Sequence, residues 1–268
     1  CTFCDISLDY ISVYEPVAAR ILVDRMEELV ASTGQTGFHF VDEAAPPSLL
    51  RSLALEILRR NFVVTWWTNI RFEKRFTADL CRLLRRAGCV AVAGGLEVAS
   101  DRLLELIDKG VTVDQVAQVA AHFTDSGILV HAYLMYGFPT QTASETMDSM
   151  ERVRQLFEAG VIHSGFWHRF ALTAHSPVGQ NPEKFGIIAE IPEVTFALND
   201  LPFTDPTGTD HDTYGEGLRI SLYNWMRGEG LDLPLRRWFD APTPKPKLDK
   251  NWALSVLETP APNPSPHA

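Results

Sequence analysis

The sequence predicts an α/β fold: a partial (β/α)6 TIM-like barrel of parallel strands, followed by an irregular and helical C-terminal extension. Between residues 14 and 172, short apolar runs alternate with amphipathic stretches of helical length. The runs are predominantly apolar, which is typical of strands buried in a parallel sheet. Right-handed crossovers join such repeats, so successive strands place their carboxyl ends at one edge.

The alternation assigns the elements in chain order. Five apolar runs predict strands at residues 37–41, 62–66, 90–96, 129–136 and 166–172. Six amphipathic stretches predict helices at residues 17–32, 47–60, 77–87, 100–109, 113–126 and 143–159. Two of these helices begin with predicted capping boxes, Thr112 with Gln115 and Thr142 with Glu145. Three glycines fall where helices end in a left-handed residue: Gly110, Gly127 and Gly160.

The alternation stops after residue 172, which divides the chain into three predicted parts. Residues 1–175 form the barrel, and we expect its first strand to lie upstream of the sequence. Residues 176–240 form an accessory segment with one helix near residues 217–228. Residues 241–268 hold seven of the 17 prolines, which predicts a disordered tail. Within it, a short apolar patch at residues 252–257 is expected to dock on another part of the chain.

Composition and charge narrow the classes of partner. The chain is 46% hydrophobic and 22% charged, as in ordinary globular proteins. A net charge of −10 argues against a general nucleic-acid-binding surface or an anionic-membrane surface. No stretch approaches the roughly 18 uncharged apolar residues of a membrane-spanning helix. We therefore expect a cytoplasmic protein without nucleic-acid or membrane partners.

The chain starts inside a metal-binding motif, Cys1-Thr2-Phe3-Cys4. Two thiolates separated by two residues can bind one metal ion or cluster, because the turn between them brings both sulfurs to the same side. No Met precedes Cys1, so we expect the reading frame to extend upstream and to supply a further cysteine. Cys81 and Cys89 are predicted to be small buried core residues rather than half of a disulfide framework.

Charged residues follow the first two predicted strands. Asp42 and Glu43 can receive an ammonium group, although two acids in this position also suit the N-terminus of the next helix. Arg71 can hold a carboxylate with its planar guanidinium, or it can form a surface salt bridge.

The third and fourth predicted strands end in turns that contain glycine. Glu97, after two glycines, can accept hydrogen bonds from a ribose diol; the alternative is a turn in which Ser100 caps the next helix. Gly137 and Phe138 belong to a Gly-Phe-Pro turn that can face a flat heterocycle, although a tight strand-to-helix connection requires similar residues. For four histidines in or near the strands, a structural role is a better interpretation than a substrate contact: His39, His131, His168 and His175.

The order of these features resembles the radical S-adenosylmethionine (SAM) superfamily, specifically the branch whose members often carry an upstream cobalamin-binding domain. Cys1-Thr2-Phe3-Cys4 looks like the last two ligands and the aromatic residue of the family's CxxxCxxC motif. The segment FHFVDE at residues 38–43 resembles its second-strand motif, in which most members have Gly-Gly-Glu. The segment GLE at residues 95–97, with Lys109-Gly110, resembles its ribose motif, and LMYGFP at residues 134–139 resembles its adenine motif.

The resemblance implies a 4Fe–4S cluster held by three cysteines, with SAM bound to the open iron. Such a cluster, once reduced, cleaves SAM to a 5′-deoxyadenosyl radical that abstracts hydrogen from a substrate. Carried over to this chain, Cys1 and Cys4 are cluster ligands and Phe3 borders the adenine. The other SAM contacts are implied at these positions: Asp42 or Glu43 for the methionine ammonium, Arg71 for its carboxylate, Glu97 for the ribose hydroxyls, and Gly137 with Phe138 along the adenine.

The resemblance also implies an electron donor such as flavodoxin or ferredoxin, and a small-molecule or peptide substrate. Cobalamin on an upstream domain, and methylation that depends on it, are compatible with this branch. Because we expect the first cluster cysteine to lie upstream, we expect this chain alone to be inactive and unable to hold a stable three-thiolate cluster. Two other interpretations stay open: a zinc-binding or redox CxxC protein on an α/β scaffold, and a noncatalytic barrel that acts as a binding module.

Overall fold

Five parallel strands form the centre of the molecule. The structure is a computed structural model that describes residues 1–5, 15, 17–41, 44–190, 199–207 and 209–259. The strands are β1 (Gly37–Phe40), β2 (Thr65–Ile70), β3 (Cys89–Glu97), β4 (Leu129–Tyr136) and β5 (Ser164–Arg169). Each strand pairs in parallel with the next one along the chain. Within the described residues β1 does not pair with β5, so the sheet is the open arc of a TIM-like barrel, as predicted.

Helices connect these strands and cover one face of the sheet. The connecting helices are α1 (Ala19–Thr33), α2 (Pro47–Arg59), α3 (Ala78–Arg86), α4 (Asp101–Leu106), α5 (Val113–Asp125) and α6 (Ala143–Glu158). Beyond β5 the described helices are α7 (Pro177–Gln180), α8 (Asp212–Trp225) and α9 (Trp252–Glu258). Two short antiparallel pairs join this region: β6 (Leu172–Thr173) with β8 (Asp200–Leu201), and β7 (Ile188–Ala189) with β9 (Phe203–Thr204).

The helix ends largely follow the predicted signals. Thr142 and Glu145 form a complete capping box at the start of α6. At α5 only half of the predicted box is present, because Thr112 accepts the Gln115 N–H without a return bond. Ser100 occupies the N-cap position of α4 but makes no capping bond with its side chain, so that part of the prediction is wrong. The three glycines predicted at helix ends are left-handed: Gly110, Gly127 and Gly160.

The second strand begins later than predicted. Residues 62–64, predicted as the start of the strand, instead form the connection after α2, where the Phe62 N–H donates to the Ile57 carbonyl at 3.1 Å. Asn61 is left-handed (φ 51°), which turns the chain out of the helix. β2 therefore starts at Thr65 and continues to Ile70 through polar residues that a search for apolar runs excludes.

The ends of β5 and α4 also differ from the prediction. β5 stops at Arg169, and Leu172 instead pairs with Leu201 in a separate antiparallel ladder. α4 ends at Leu106 because Asp108 adopts a left-handed conformation (φ 54°) and the Lys109 N–H closes the turn onto the Leu104 carbonyl. This turn directs Lys109 back toward the sheet.

Residues 241–259, predicted to be part of a disordered tail, lie against the barrel. The Lys247 N–H donates to Asp148 on α6 at 2.6 Å, and the Trp252 indole donates to Asp114 on α5 at 3.0 Å. α9 then packs Ala253 and Val256 into the main apolar core. The predicted disorder is therefore wrong for residues 241–259, whereas the docking expected of the apolar patch at residues 252–257 is confirmed. Residues 260–268 lie outside the described residues.

The two faces of the sheet are covered differently. Trp66, Val130 and Leu134 are at most 1% exposed and pack in the core formed with α2, α3, α5 and α6. Their neighbours in sequence point to the opposite face, because side chains alternate along a strand. On that inner face Trp67 and Tyr133 are only half-buried. Among the described helices, none has both the length and the apolar character needed to cross a membrane.

Gly88, which precedes β3, is expected to be required for stability. It has a φ of 91°, and a Cβ there would lie 2.0 Å from the Val64 carbonyl oxygen. Gly34 also has a positive φ but has no atom within 4 Å of a Cβ. We expect Gly34→Ala to cost roughly 1–2 kcal/mol through backbone strain alone, and Gly88→Ala to cost more because the clash adds to the strain. Urea denaturation of both variants measures the difference, and equal losses would contradict the packing argument.

Candidate functional site

The carboxyl ends of β2, β3, β4 and β5 meet at one edge of the sheet, where open α/β sheets bind ligands. Four of the predicted site residues lie there. Arg71 directly follows β2 and Glu97 is the last residue of β3, while Gly137 and Phe138 directly follow β4. The parallel order of the strands therefore brings together residues that are up to 67 positions apart in sequence.

Glu97 and Lys109 form a buried ion pair at the centre of this edge. Lys109 Nζ lies 2.6 Å from Glu97 Oε1, and the side chains are only 11% and 12% exposed. The pairing of β3 with β4 shifts between Gly95 and Glu97, and Glu97 itself is left-handed (φ 55°). Together the bulge and the left-handed residue aim the carboxylate back over the strand.

Gly95 makes room for this ion pair. A Cβ at Gly95 would lie 1.9 Å from Glu97 Oε1 and 2.6 Å from Lys109 Nζ. Only glycine therefore lets the carboxylate lie directly over the backbone of the sheet. The result is a carboxylate fixed directly over the backbone at the end of β3.

Arg71 reaches the same turn from β2. Its guanidinium donates a hydrogen bond to the Lys109 carbonyl, and its Nη2 lies 3.5 Å from the position of a Cβ on Gly110. No carboxylate in the described part of the chain forms an ion pair with it, so the surface salt bridge considered from the sequence is not formed there. The guanidinium keeps further N–H groups that can bind an anion.

The cysteine motif docks on the other side of the same turn. The Thr2 N–H donates to the Ile107 carbonyl at 2.8 Å, and the Thr2 hydroxyl donates to the Leu106 carbonyl at 3.3 Å. The Thr2 carbonyl accepts the Val178 N–H from α7 at 3.0 Å. The segment that carries Cys1 and Cys4 is thereby fixed between the end of α4 and the start of α7.

Apolar packing supports this docking. Cys1 and Phe3 pack against a cluster separate from the main core, in which Phe138 is fully buried. The Phe138 ring meets that of Phe170 edge-on at 5.1 Å between centroids. Phe138 thus holds the turn in place with its side chain, while Gly137 faces an open cavity.

The Gly137-Phe138 turn is held by a residue that the sequence analysis did not consider. Gln141 is fully buried, and its Oε1 accepts the N–H groups of Gly137 at 2.6 Å and of Phe138 at 3.2 Å. Gly137 is left-handed (φ 78°), as the tight strand-to-helix connection requires. The spacing of four residues between Gly137 and Gln141 is the only sequence signal for this contact.

Two of the predicted site residues, Asp42 and Glu43, lie outside the described residues. The connection that contains them leads to Ala45, whose N–H donates to the Asn69 carbonyl near the end of β2 at 2.9 Å. Their assignment to a methionine ammonium therefore stays a prediction.

The four cysteines divide into two groups, as predicted. All four lie in the described part of the chain and none forms a disulfide. Cys81 and Cys89 are fully buried in the core, and burial raises the pKa of Cys81 to about 12 and also raises the pKa of Cys89. These two are unreactive thiols. Cys1 and Cys4 are only partly buried. Within the described residues, no three His, Cys, Asp or Glu side chains converge as a metal site.

The inner face beside this edge is lined by aromatic and imidazole rings. His39 stacks on Trp67 with centroids 3.5 Å apart. His168 contacts both Phe166 and Tyr133, at 4.4 and 6.3 Å between centroids. The sequence analysis missed this lining because its rings are spread over four strands: β1, β2, β4 and β5.

The imidazole of His131, on β4, lies on the same face and is partly buried. His131 Nδ1 lies 2.8 Å from the Ser164 hydroxyl, and burial, reinforced by nearby His168, lowers the pKa of His131. His131 is therefore neutral at physiological pH and can exchange hydrogen bonds with a ligand on this face.

A protein-family model described as the Radical SAM superfamily matches residues 1–153. An uncharacterized methyltransferase, PH0819, from Pyrococcus horikoshii is 23% identical over 158 residues, which are 58% of this chain and 34% of that protein. The anaerobic magnesium-protoporphyrin IX monomethyl ester cyclase of Rubrivivax gelatinosus is 26% identical over 159 residues, which are 58% of this chain and 28% of that protein. The chain thus spans about a third of the length of the curated relatives that it matches.

Solved structures share the fold. The radical S-adenosylmethionine methyltransferase TsrM from Kitasatospora setae, with cobalamin and a [4Fe-4S] cluster bound, is 20% identical with a TM-score of 0.53, covering 66% of this chain and 37% of that one. The cobalamin-dependent S-adenosylmethionine radical enzyme OxsB, with aqua-cobalamin bound, is 12% identical with a TM-score of 0.61, covering 85% and 39%. At these identities the likeness concerns the fold, and it agrees with the TIM-like barrel of the described strands.

The ion pair between Glu97 and Lys109 is expected to stabilise this edge. Lys109→Met leaves the Glu97 carboxylate buried without its partner, so we expect a loss of roughly 3–5 kcal/mol in the free energy of unfolding. The double variant Glu97→Gln/Lys109→Met removes both charges and is expected to recover much of that loss. Urea denaturation measures all variants, with the exposed Lys74→Met as control. A Lys109→Met loss no larger than that of Lys74→Met would show that the pair does not hold the turn.

Proposed function

Because this chain belongs to the radical SAM superfamily, we propose that it is part of the cluster- and SAM-binding core of an enzyme that modifies an organic substrate by radical chemistry. One observation carries the proposal. The turn after α4 joins the CxxC segment through Thr2, the ribose candidate Glu97 through Lys109, and the carboxylate candidate Arg71 through the Lys109 carbonyl. Residues proposed for one cofactor assembly thus share one rigid support.

The residues present fit two parts of the proposed cofactor set. The thiols of Cys1 and Cys4 fit two of the three cysteine positions of a 4Fe–4S cluster, since both sit on one short, docked segment. The Glu97 carboxylate, which lies directly over Gly95, fits the ribose of SAM because it can accept hydrogen bonds from sugar hydroxyls. When bound, a reduced cluster with SAM supplies the radical that abstracts hydrogen from the substrate.

The chain's own residues prepare this edge in three ways. Lys109 forms an ion pair with Glu97 at 2.6 Å and so fixes the position of a carboxylate that can accept further hydrogen bonds. Arg71 offers guanidinium N–H groups to the methionine carboxylate, and Asp42 or Glu43 receives the ammonium. The apolar cluster around Phe3 and Phe138 keeps water away from the segment that carries the thiols.

The finer proposal is cobalamin-dependent methylation of a small-molecule or peptide substrate, with electrons supplied by a flavodoxin or ferredoxin. Its support is the shared fold with TsrM and OxsB, whose names give a methyltransferase and a cobalamin-dependent enzyme, and the sequence similarity to PH0819. The aromatic inner face of the sheet gives a substrate a surface to lie on beside the cofactor edge.

The test uses the longer protein that includes the region upstream of Cys1. It is purified without oxygen, supplied with iron and sulfide, reduced, and examined by EPR with and without SAM. We expect a 4Fe–4S signal that changes on addition of SAM and is lost in Cys4→Ala but kept in Cys89→Ala. Bound zinc without iron would favour the zinc or redox interpretation. A full cluster whose EPR signal does not change when SAM is added would favour a noncatalytic barrel.

Glu97 is expected to contribute directly to SAM affinity. Replacement by Gln removes the charged acceptor for the ribose hydroxyls, so we expect SAM to bind roughly 10- to 100-fold more weakly, as for the loss of a hydrogen bond to a charged group. The exposed Glu105 on α4 offers a matched control as Glu105→Gln. SAM titration of the EPR signal measures both variants, and an unchanged affinity in Glu97→Gln would remove Glu97 from the SAM site.

A further inference from the structure

A cavity of about 510 Å³ lies at the same edge of the sheet, beyond β5. It is bounded by the ends of β4 and β5, the segment from Asp200 to Asp205, and the start of α8. Gly137 lines it, and the position of a Cβ on Gly137 lies 3.4 Å from the His211 ring. The cavity therefore adjoins the turn that follows β4, and neither Gly95 nor Glu97 lines it.

His211 lines this cavity and has no hydrogen-bond partner among the described residues. It is only 7% exposed, and in the part of the chain that the structure describes neither ring nitrogen finds a donor or acceptor. On the far side of Gly137, Nε2 of the fully buried Gln141 also has no acceptor there. Buried polar groups are nearly always paired in native proteins, so a buried imidazole at a cavity wall indicates a bound ligand or water.

The charge of the wall favours a cation. The lining includes three carboxylates, Asp200, Asp205 and Asp210, and one guanidinium, Arg169, which is already in an ion pair with Asp212 on α8. A cationic group entering the cavity thus meets uncompensated negative charge.

Among the described residues, Asp200 is the one of these three carboxylates whose oxygens accept no hydrogen bond. Asp205 accepts the N–H groups of Thr140 and Thr207, and Asp210 accepts the N–H of Asp212. Asp200 makes no hydrogen bond or ion pair through its side chain with the described residues, and it is exposed. A ligand cation is therefore expected to meet Asp200 first.

The remaining wall is apolar. Phe170, Leu172 and Leu201 line the cavity with faces that continue into the apolar cluster around Phe138. His211 is expected to be neutral beside them, because burial lowers its pKa and Arg169 acts in the same direction, while Asp205, Asp210 and Asp212 oppose the shift. A neutral imidazole can accept a hydrogen bond from an ammonium group.

We propose that this cavity binds an organic amine: an ammonium group held by Asp200 and a ring nitrogen of His211, on an apolar body that packs against Phe170 and Leu201. We infer the binding of the amine from these residues alone. The further inference that the amine is the substrate rests on the proposed function, since the cavity adjoins the turn after β4 at the cofactor edge.

The test compares three probes that share one body and differ in charge: phenethylamine, phenethyl alcohol and 3-phenylpropionate. Isothermal titration calorimetry is performed on the full chain. We expect saturable binding of phenethylamine at least tenfold tighter than that of the alcohol, and no binding of the carboxylate. Equal binding of amine and alcohol, or no binding of the amine, overturns the proposal.

Matched variants locate the binding. Asp200→Asn is expected to weaken phenethylamine binding at least tenfold, whereas Asp232→Asn, in a separate cavity beside the proline-rich segment, leaves it unchanged. His211→Phe is expected to weaken it similarly, and His211→Gln, which keeps an acceptor, to restore part of the affinity. Urea midpoints confirm that each variant folds. If neither Asp200→Asn nor His211→Phe changes binding, the amine binds elsewhere and the proposal is wrong.

A competition experiment separates this proposal from the SAM site. Displacement of phenethylamine by S-adenosylhomocysteine would assign the cavity to the nucleoside and overturn the amine site. Absence of a SAM-dependent EPR change in the longer protein would instead overturn the proposed function, while amine binding to the cavity would still be measured.

Discussion

The ion pair between Glu97 and Lys109 is the interaction on which the strand-end site depends. It exists because a bulge in β3, a left-handed Glu97 and the short turn after α4 all direct the two side chains to the space above Gly95. Two buried charges are tolerated only as a close pair, and here they are 2.6 Å apart. Any change that moves one element of this arrangement leaves a charge unpaired.

The same turn after α4 connects parts of the chain that are distant in sequence. Its carbonyl groups lie at the C-terminal end of α4, where backbone carbonyls have no hydrogen-bond partner within the helix. Thr2 satisfies those of Leu106 and Ile107, and Arg71 satisfies that of Lys109. Helix termination is therefore used here to position the cysteine segment and a guanidinium around one carboxylate.

The sheet separates chemical environments across this edge. Charged groups surround the end of β3, and an apolar cluster that includes Phe138 lies beneath the cysteine segment. Aromatic and imidazole rings line the inner face, and a negatively charged cavity with His211 follows β5. Radical chemistry as proposed for this family member needs a dry cofactor site next to an accessible substrate surface, and this separation provides both.

The sequence by itself determined the fold class, most helix bounds and the edge where the site lies, because hydrophobic period and capping residues are local signals. It placed β4 at its observed bounds, since that strand is a continuous apolar run ended by glycine. Only the tertiary structure decided the partner of Glu97, the support given by Gln141 and the packing of α9. It also decided that His211 is buried with no hydrogen-bond partner among the described residues. These contacts join residues from different elements, and which side chains meet depends on how the helices and strands pack, which no local pattern encodes.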